Sequence, residues 1–349
     1  MDKKKLITSL VFIIIVGAVI ISLTVSKKSY AVGTTLVDTV KALNKGSSWS
    51  SGASGVYYTN SHEYRYIGAE VNNYVKFNND LYRIIGVFDS NSHGVSNTEL
   101  VKLIRARSLG GYSWGVYNTD NSAGTYSGSA NDWTGKSKTS KANLNVLFNE
   151  YFYNKTDTSS TYGDCSNWTY YHSGNSIKTK DCSDIITYGI DSSLRGYIET
   201  ATWYLYGNNT SNTSSKSKQD WYLCERGGNS CTSANSGAYS TTTDAKIGLM
   251  YLSDYLYASG YFSNGDTTLP FSSYFGNRNW LYKGYEWTLT PYASDTKWVW
   301  RTDVGSVSTG SSEMPYFVRP TFYLKSSVYV TGGDGSFDDP YTLGCDNCS

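Results

Sequence analysis

The chain of 349 residues carries 30 Lys and Arg against 29 Asp and Glu, a formal charge of +1, so it lacks the basic footprint of a nucleic-acid-binding protein. Only 17% of its residues are charged, while Tyr numbers 33 and Trp 10. Such a chain stays soluble through hydroxyls and amides, a profile common in exported β-rich proteins and in surfaces that bind through tyrosine.

At the N-terminus, Lys3, Lys4 and Lys5 precede an uncharged, mostly apolar run from Leu6 to Val25, and Lys27 and Lys28 close it. At about 1.5 Å of rise per residue, a helix of this length crosses a hydrocarbon core of roughly 30 Å. Ser29-Tyr30-Ala31 offers the small residues a signal peptidase cuts after. The run is long for a signal-peptide core, which typically holds about 7–15 apolar residues. Residues 1–31 therefore read as a membrane anchor or a cleaved signal peptide, with the anchor favoured. Either way the body of the protein lies outside the cytoplasm, and the membrane is the partner this segment implies.

Residues 32–60 read as a short helix and a linker. Thr34 or Thr35 caps the helix, Leu36, Val40 and Leu43 mark its face, and Gly and Ser dominate from Lys45 onward. From residue 61 to 344 the pattern is that of one extracytoplasmic domain. Tyr64–Gly68, Tyr74–Phe77, Leu81–Phe88 and Glu99–Arg105 read as strands, with Asn78-Asn79-Asp80 as a tight turn. The third of these is apolar at nearly every position, which predicts a central strand covered on both faces. Ser108–Lys141 reads as long loops with isolated Trp114 and Trp133.

Ser140 then caps a helix with Leu144, Leu147, Phe148, Tyr151 and Phe152 on one face. A second helix is expected from Asp191, with Leu194, Tyr197, Ile198 and Ala201. Residues 207–244 read as polar loop, Lys246–Tyr251 as a strand and Ser253–Ala258 as a helical turn. Glu286–Leu289, Trp298–Val304 and Phe317–Leu324 read as late strands, and Gly332–Ser336 as a turn. The sum is an α+β fold of mostly antiparallel strands with two helices and long loops.

All six cysteines lie beyond the membrane segment, as near pairs: Cys165/Cys182, Cys224/Cys231 and Cys345/Cys348. An even count in an exported chain predicts disulfides, and nearest-neighbour pairing is the simplest of fifteen connectivities. Zinc is the rival reading, with local form only at Cys345-Asp346-Asn347-Cys348 in the short tail 345–349. His62, His93 and His172 are the chain's three histidines and none lies near it. A disulfide is the better account, and no metal or other cofactor is expected.

Several segments together resemble a family of exported proteins from Gram-positive gut bacteria. They are Tyr66-Ile67-Gly68, Asn72–Asn79, Arg83–Phe88, Ala201–Leu205, Lys246–Tyr251, Glu286-Trp287-Thr288, Val318-Arg319-Pro320 and Gly333–Ser336. The family brings no activity with it. Its closing pattern, a Trp-led strand, a variable stretch and an Arg-Pro strand, is similar to C-type-lectin-like folds. Those include sugar binders, relatives of the formylglycine-generating oxidase and hypervariable display proteins. The resemblance implies a binding face at Pro291–Phe317. It also implies a departure, since no Glu-Pro-Asn or Gln-Pro-Asp calcium triplet occurs.

Within that stretch, alternation along a strand puts Trp298, Trp300 and Thr302 on one face and Val299, Arg301 and Asp303 on the other. A tryptophan pair with Tyr292 and Tyr316 would stack on sugar rings or anchor a protein. Arg301, Asp303 and Glu313 would add polar contacts. The plain alternative is that one tryptophan face fills the core. Asp334, Asp338 and Asp339 lack EF-hand spacing and read as a turn. Catalytic signatures are missing from the sequence: it has no Gly-x-Ser-x-Gly elbow, His-Glu-x-x-His helix or phosphate loop. The expectation is a surface-displayed protein that binds a glycan or a protein. A pilus-like envelope subunit is the alternative, and a glycan-active or oxidising enzyme ranks last.

Overall fold

A computed structural model describes residues 33–115, 132–134, 143–165, 169–172, 176–179, 182–207, 216–228, 241–261, 276–295, 298–304, 306–312 and 314–348. The expected anchor or signal, Ser140, Cys231 and Glu313 lie outside the described residues. Among those described, no helix is long and apolar enough to cross a membrane.

The strands in chain order are β1 Gly55–Tyr58, β2 Tyr64–Ile67, β3 Tyr74–Phe77, β4 Asp80–Phe88, β5 Leu100–Arg105, β6 Gly111–Tyr112, β7 Thr158–Ser159, β8 Gly163–Asp164, β9 Thr169–His172 and β10 Ser176–Thr179. They continue as β11 Ala201–Tyr204, β12 Thr242–Ala245, β13 Glu286–Pro291, β14 Trp298–Thr302, β15 Val307–Ser311, β16 Tyr316–Phe317, β17 Thr321–Leu324, β18 Tyr329–Gly332 and β19 Thr342–Gly344. Two sheets organise the body. The first has the order β1-β2-β4-β5-β17, with β3 also paired to β4, and every pairing in it is antiparallel. The second has the order β15-β14-β13-β16-β6, antiparallel except where β13 meets β16. The remaining strands pair in two-stranded sheets. The α+β class, with mostly antiparallel strands, is the observed one.

β4 is the central strand the apolar run predicts, buried from Tyr82 to Phe88. The β3–β4 turn places both Asn78 and Asn79 at φ 55°, the left-handed geometry that a two-residue hairpin needs and that Asn tolerates. Thr35 caps the helix Leu36–Lys41, its hydroxyl accepting from the Asp38 N–H at 3.0 Å. The helix from Asn143 buries its predicted face, Leu144, Leu147, Phe148, Tyr151 and Phe152, and passes into a π-helical turn over Leu147–Phe152.

Four expectations need correction. The Gly/Ser segment read as a linker supplies β1, which pairs with β2 along its length, and it buries Trp49. The helix expected from Asp191 is a 3-10 turn over Ser192–Tyr197. Ile198 then bridges to Leu324, and Ala201 begins β11, so strand pairing wins over helical periodicity. Lys246–Tyr251 is not a strand: it touches the first sheet at a single bridge, Gly248 to Thr321, while the strand is Thr242–Ala245. Phe317–Leu324 is two strands, β16 in the second sheet and β17 in the first, and Val318-Arg319-Pro320 carries the chain between them. Proline, lacking an N–H, suits such a break.

The polar stretch 207–244 also holds a helix, Lys218–Glu225. Ser217 and Asp220 form a reciprocal capping box at its start. This helix and the helix Leu252–Tyr257 pack together, and the latter also contacts β2, β13 and β14. Trp114 and Trp133, expected as isolated loop residues, are both buried with ring centroids 5.1 Å apart.

Candidate functional site

The second sheet separates the residues that sequence alternation had grouped. Trp300 is only 3% exposed. Its ring meets Trp221 of the helix Lys218–Glu225 edge-on at 4.9 Å and Tyr292 at 5.8 Å. Trp298, at the start of the same strand, is 39% exposed. The paired tryptophan platform is therefore not formed, because a helix hidden in a polar stretch covers the Trp300 ring.

Arg301, Asp303 and Tyr316 do come together. The Arg301 guanidinium lies 4.7 Å from the Tyr316 ring centroid and 4.9 Å from that of Tyr285. The two tyrosine rings stack at 6.0 Å with an interplanar angle of 25°. Asp303 pairs with Arg301 at 3.1 Å. Tyr316 is backed by Trp287 at 4.7 Å, whose indole N–H donates to the Tyr112 carbonyl at 3.0 Å. Gly310 on β15 permits the arrangement, since a Cβ there would stand 2.6 Å from the Tyr316 ring and 3.0 Å from Arg301 Cδ. Tyr285 is 43% exposed, and the Arg301 Nε has no hydrogen-bond partner among the described residues. Two phenol rings, a guanidinium and a carboxylate thus share one surface. Tyr285 was missed in the sequence, although alternation puts it on the Trp287 face.

A second cluster lies in the interior and was not foreseen. Arg65 of β2 donates from Nε to Glu63 at 2.8 Å and from Nη1 to Asp254 Oδ1 at 2.7 Å. Lys102 of β5 donates from Nζ to Asp254 Oδ2 at 2.7 Å, and these four side chains are at most 1% exposed. Asp254 Oδ2 also accepts the Tyr251 N–H at 2.9 Å. The Lys102 ammonium is ringed by Tyr251 at 4.4 Å, Trp203 at 5.1 Å, Tyr323 at 5.3 Å and Phe88 at 5.5 Å.

Burial pushes Lys102 down to about 8, with Asp254 offsetting only part of the effect. Burial alone would raise Asp254, but Lys102 and Arg65 outweigh it and hold the carboxyl at about 2. A lone lysine inside the apolar strand Leu100-Val101-Lys102-Leu103-Ile104 was the available signal, since a buried cation demands a buried acid.

Next to this quartet, Glu225 accepts from Ser253 N–H at 3.0 Å and the Thr290 hydroxyl at 2.7 Å, which ties the helix pair to β13. Burial raises its carboxyl above the usual range. Arg319 forks onto Glu286 at 2.6 and 2.7 Å at the crossing between the sheets. These buried groups tie the elements they join.

Cys165–Cys182 and Cys345–Cys348 are disulfides, with Cα separations of 5.9 and 5.5 Å, and Cys224 is also disulfide-bonded. Among the described residues no group of three or more His, Cys, Asp and Glu could hold a metal ion. No family model, curated protein or solved structure matches the chain.

Proposed function

We propose that this is an exported binding protein, held at the membrane by residues 1–31, that engages a glycan through the Tyr285–Arg301–Tyr316 surface. The carrying observation is the guanidinium set over two stacked tyrosine rings, with Tyr285 open to solvent. Aromatic faces stack on the apolar faces of sugar rings, and an arginine–carboxylate pair offers donors and acceptors to hydroxyls. The surface is prepaid in order: Trp287 backs Tyr316, and Asp303 fixes Arg301. Trp298, exposed at the start of the same strand as Arg301, lies on its other face by alternation and is not part of this surface. The disulfides support an oxidising compartment outside the cytoplasm. A C-type-lectin-like ancestry is the fold-level part of this reading and rests on the motif resemblance alone.

The test is a glycan array probed with the purified protein, with and without calcium. Saturable binding is expected, and Tyr285→Ala and Arg301→Ala each weaken it by about tenfold or more while the circular dichroism stays native. An array that stays blank for folded protein sinks the glycan reading. Capture of a protein ligand that tolerates both substitutions would move the site elsewhere.

A further inference from the structure

We propose that Lys102 and Asp254 are the two halves of an intramolecular isopeptide bond that the folded chain forms on itself. The atoms are in place: Nζ lies 2.7 Å from Oδ2, and both side chains are fully shielded from water. Arg65 Nη1, 2.7 Å from Oδ1, is positioned to hold the negative charge that develops on that oxygen when the carbonyl carbon is attacked. The aromatic ring of Tyr251, Trp203, Tyr323 and Phe88 excludes the water that would otherwise reverse the reaction.

The step balances within the pair. The ammonium passes one proton to Oδ2, and its nitrogen lone pair attacks Cγ, placing charge on Oδ1 beside Arg65. A second proton follows to Oδ2, the Cγ–Oδ2 bond breaks and water leaves. The Cγ–Nζ amide remains, with one hydrogen on nitrogen and Oδ1 as its carbonyl oxygen, still accepting from Arg65. No oxidant or further reactant is needed.

Charge bookkeeping favours the product. Before reaction the interior holds Glu63 and Asp254 against Arg65 and Lys102. Afterwards Glu63 and Arg65 remain, still balanced, and two buried charges with their desolvation penalty are gone. The ion pair resists the first proton transfer, because Asp254 is the stronger acid by far. The step is accordingly slow, but it needs to happen only once per molecule. Its effect is a covalent strap between β5 of the first sheet and the helix Leu252–Tyr257, which contacts the second.

Mass spectrometry of the full-length protein, purified from cells, denatured and with its disulfides reduced, decides the matter. The expected result is a deficit of one water. Protease digestion should then yield a branched peptide joining Lys102 and Asp254, with no tryptic cleavage after Lys102. Lys102→Arg, which keeps the cation but not the amine, should restore the full mass. Wild-type protein with native circular dichroism and no deficit overturns the proposal, as does a water deficit that maps to other residues or persists in K102R. The wild-type measurement stands without any variant having to fold.

Discussion

Arg301 and Lys102 are both cations set among aromatic rings and paired with an aspartate, yet only the first pair reaches solvent. Arg301 keeps 12% of its side chain exposed and Asp303 keeps 23%, at the rim of the second sheet. Lys102 and Asp254 keep none. The first pair is largely covered but still reaches water, so it contributes modestly to stability: solvent screens it in part and two side chains must be held still. What it offers is an ordered polar surface. In the interior the same ingredients cannot be neutral in effect: each ion has lost its hydration and depends wholly on its partner. The outer cluster is thus free to serve a ligand, whereas the inner one is committed to the fold.

Breaking each pair at the acid gives the largest contrast. Asp254→Ala leaves Lys102 and Arg65 facing one carboxylate in a sealed space and is expected to cost about 3–5 kcal/mol. Asp303→Ala is expected to cost under about 1 kcal/mol while weakening ligand binding. Urea midpoints of the two variants check this. Equal losses would mean that the inner and outer sites do not differ in kind.

The two tryptophans of β14 sharpen the same boundary within three residues. Trp300, packed on Trp221, is expected to cost about 3–5 kcal/mol when cut to Ala, and Trp298→Ala about 1 kcal/mol or less. If Trp298→Ala abolishes glycan binding with stability unchanged, the ligand surface reaches the strand end. If Trp300→Ala proves harmless, the buried pairing with Trp221 is wrong.

That boundary explains what could be read beforehand. Period-two strands with strong turn chemistry, such as β3-Asn78-Asn79-β4, announce themselves locally, and the capped helix at Thr35 does too. The helix Lys218–Glu225 carries its signal in a capping box rather than in apolar periodicity, so it was read as loop. Without that helix, nothing local says what covers the Trp300 ring. Alternation places Arg301 opposite Trp300 and Tyr285 on the Trp287 face, but only the pairing of Tyr285 with Phe317 says that these residues meet. The inner quartet joins residues up to 191 positions apart, and no local pattern encodes which acid a buried lysine will find.

The smallest effect discriminates between a lysine that is still an amine and one that is not. As a free amine in the fold, Lys102 is pushed by burial down to about 8, below the ordinary lysine value of 10.5. Between those values the unfolded chain binds a proton that the folded chain does not, so stability rises with pH across that window. The rise ends near pH 10, where tyrosines ionise when unfolded but stay protonated in the fold, since burial raises Tyr251 and Tyr323. From pH 8 to 10 the Lys102 contribution is on the order of 2 kcal/mol. Lys246 and Lys283, also lowered by burial, add the same slope whether or not the strap has formed. Urea midpoints at the two pH values should therefore differ more for any fraction whose mass shows a free amine than for the cross-linked fraction. Identical slopes in the two fractions would mean that Lys102 is solvated in the fold, and the inner site would lose its distinction from the outer one.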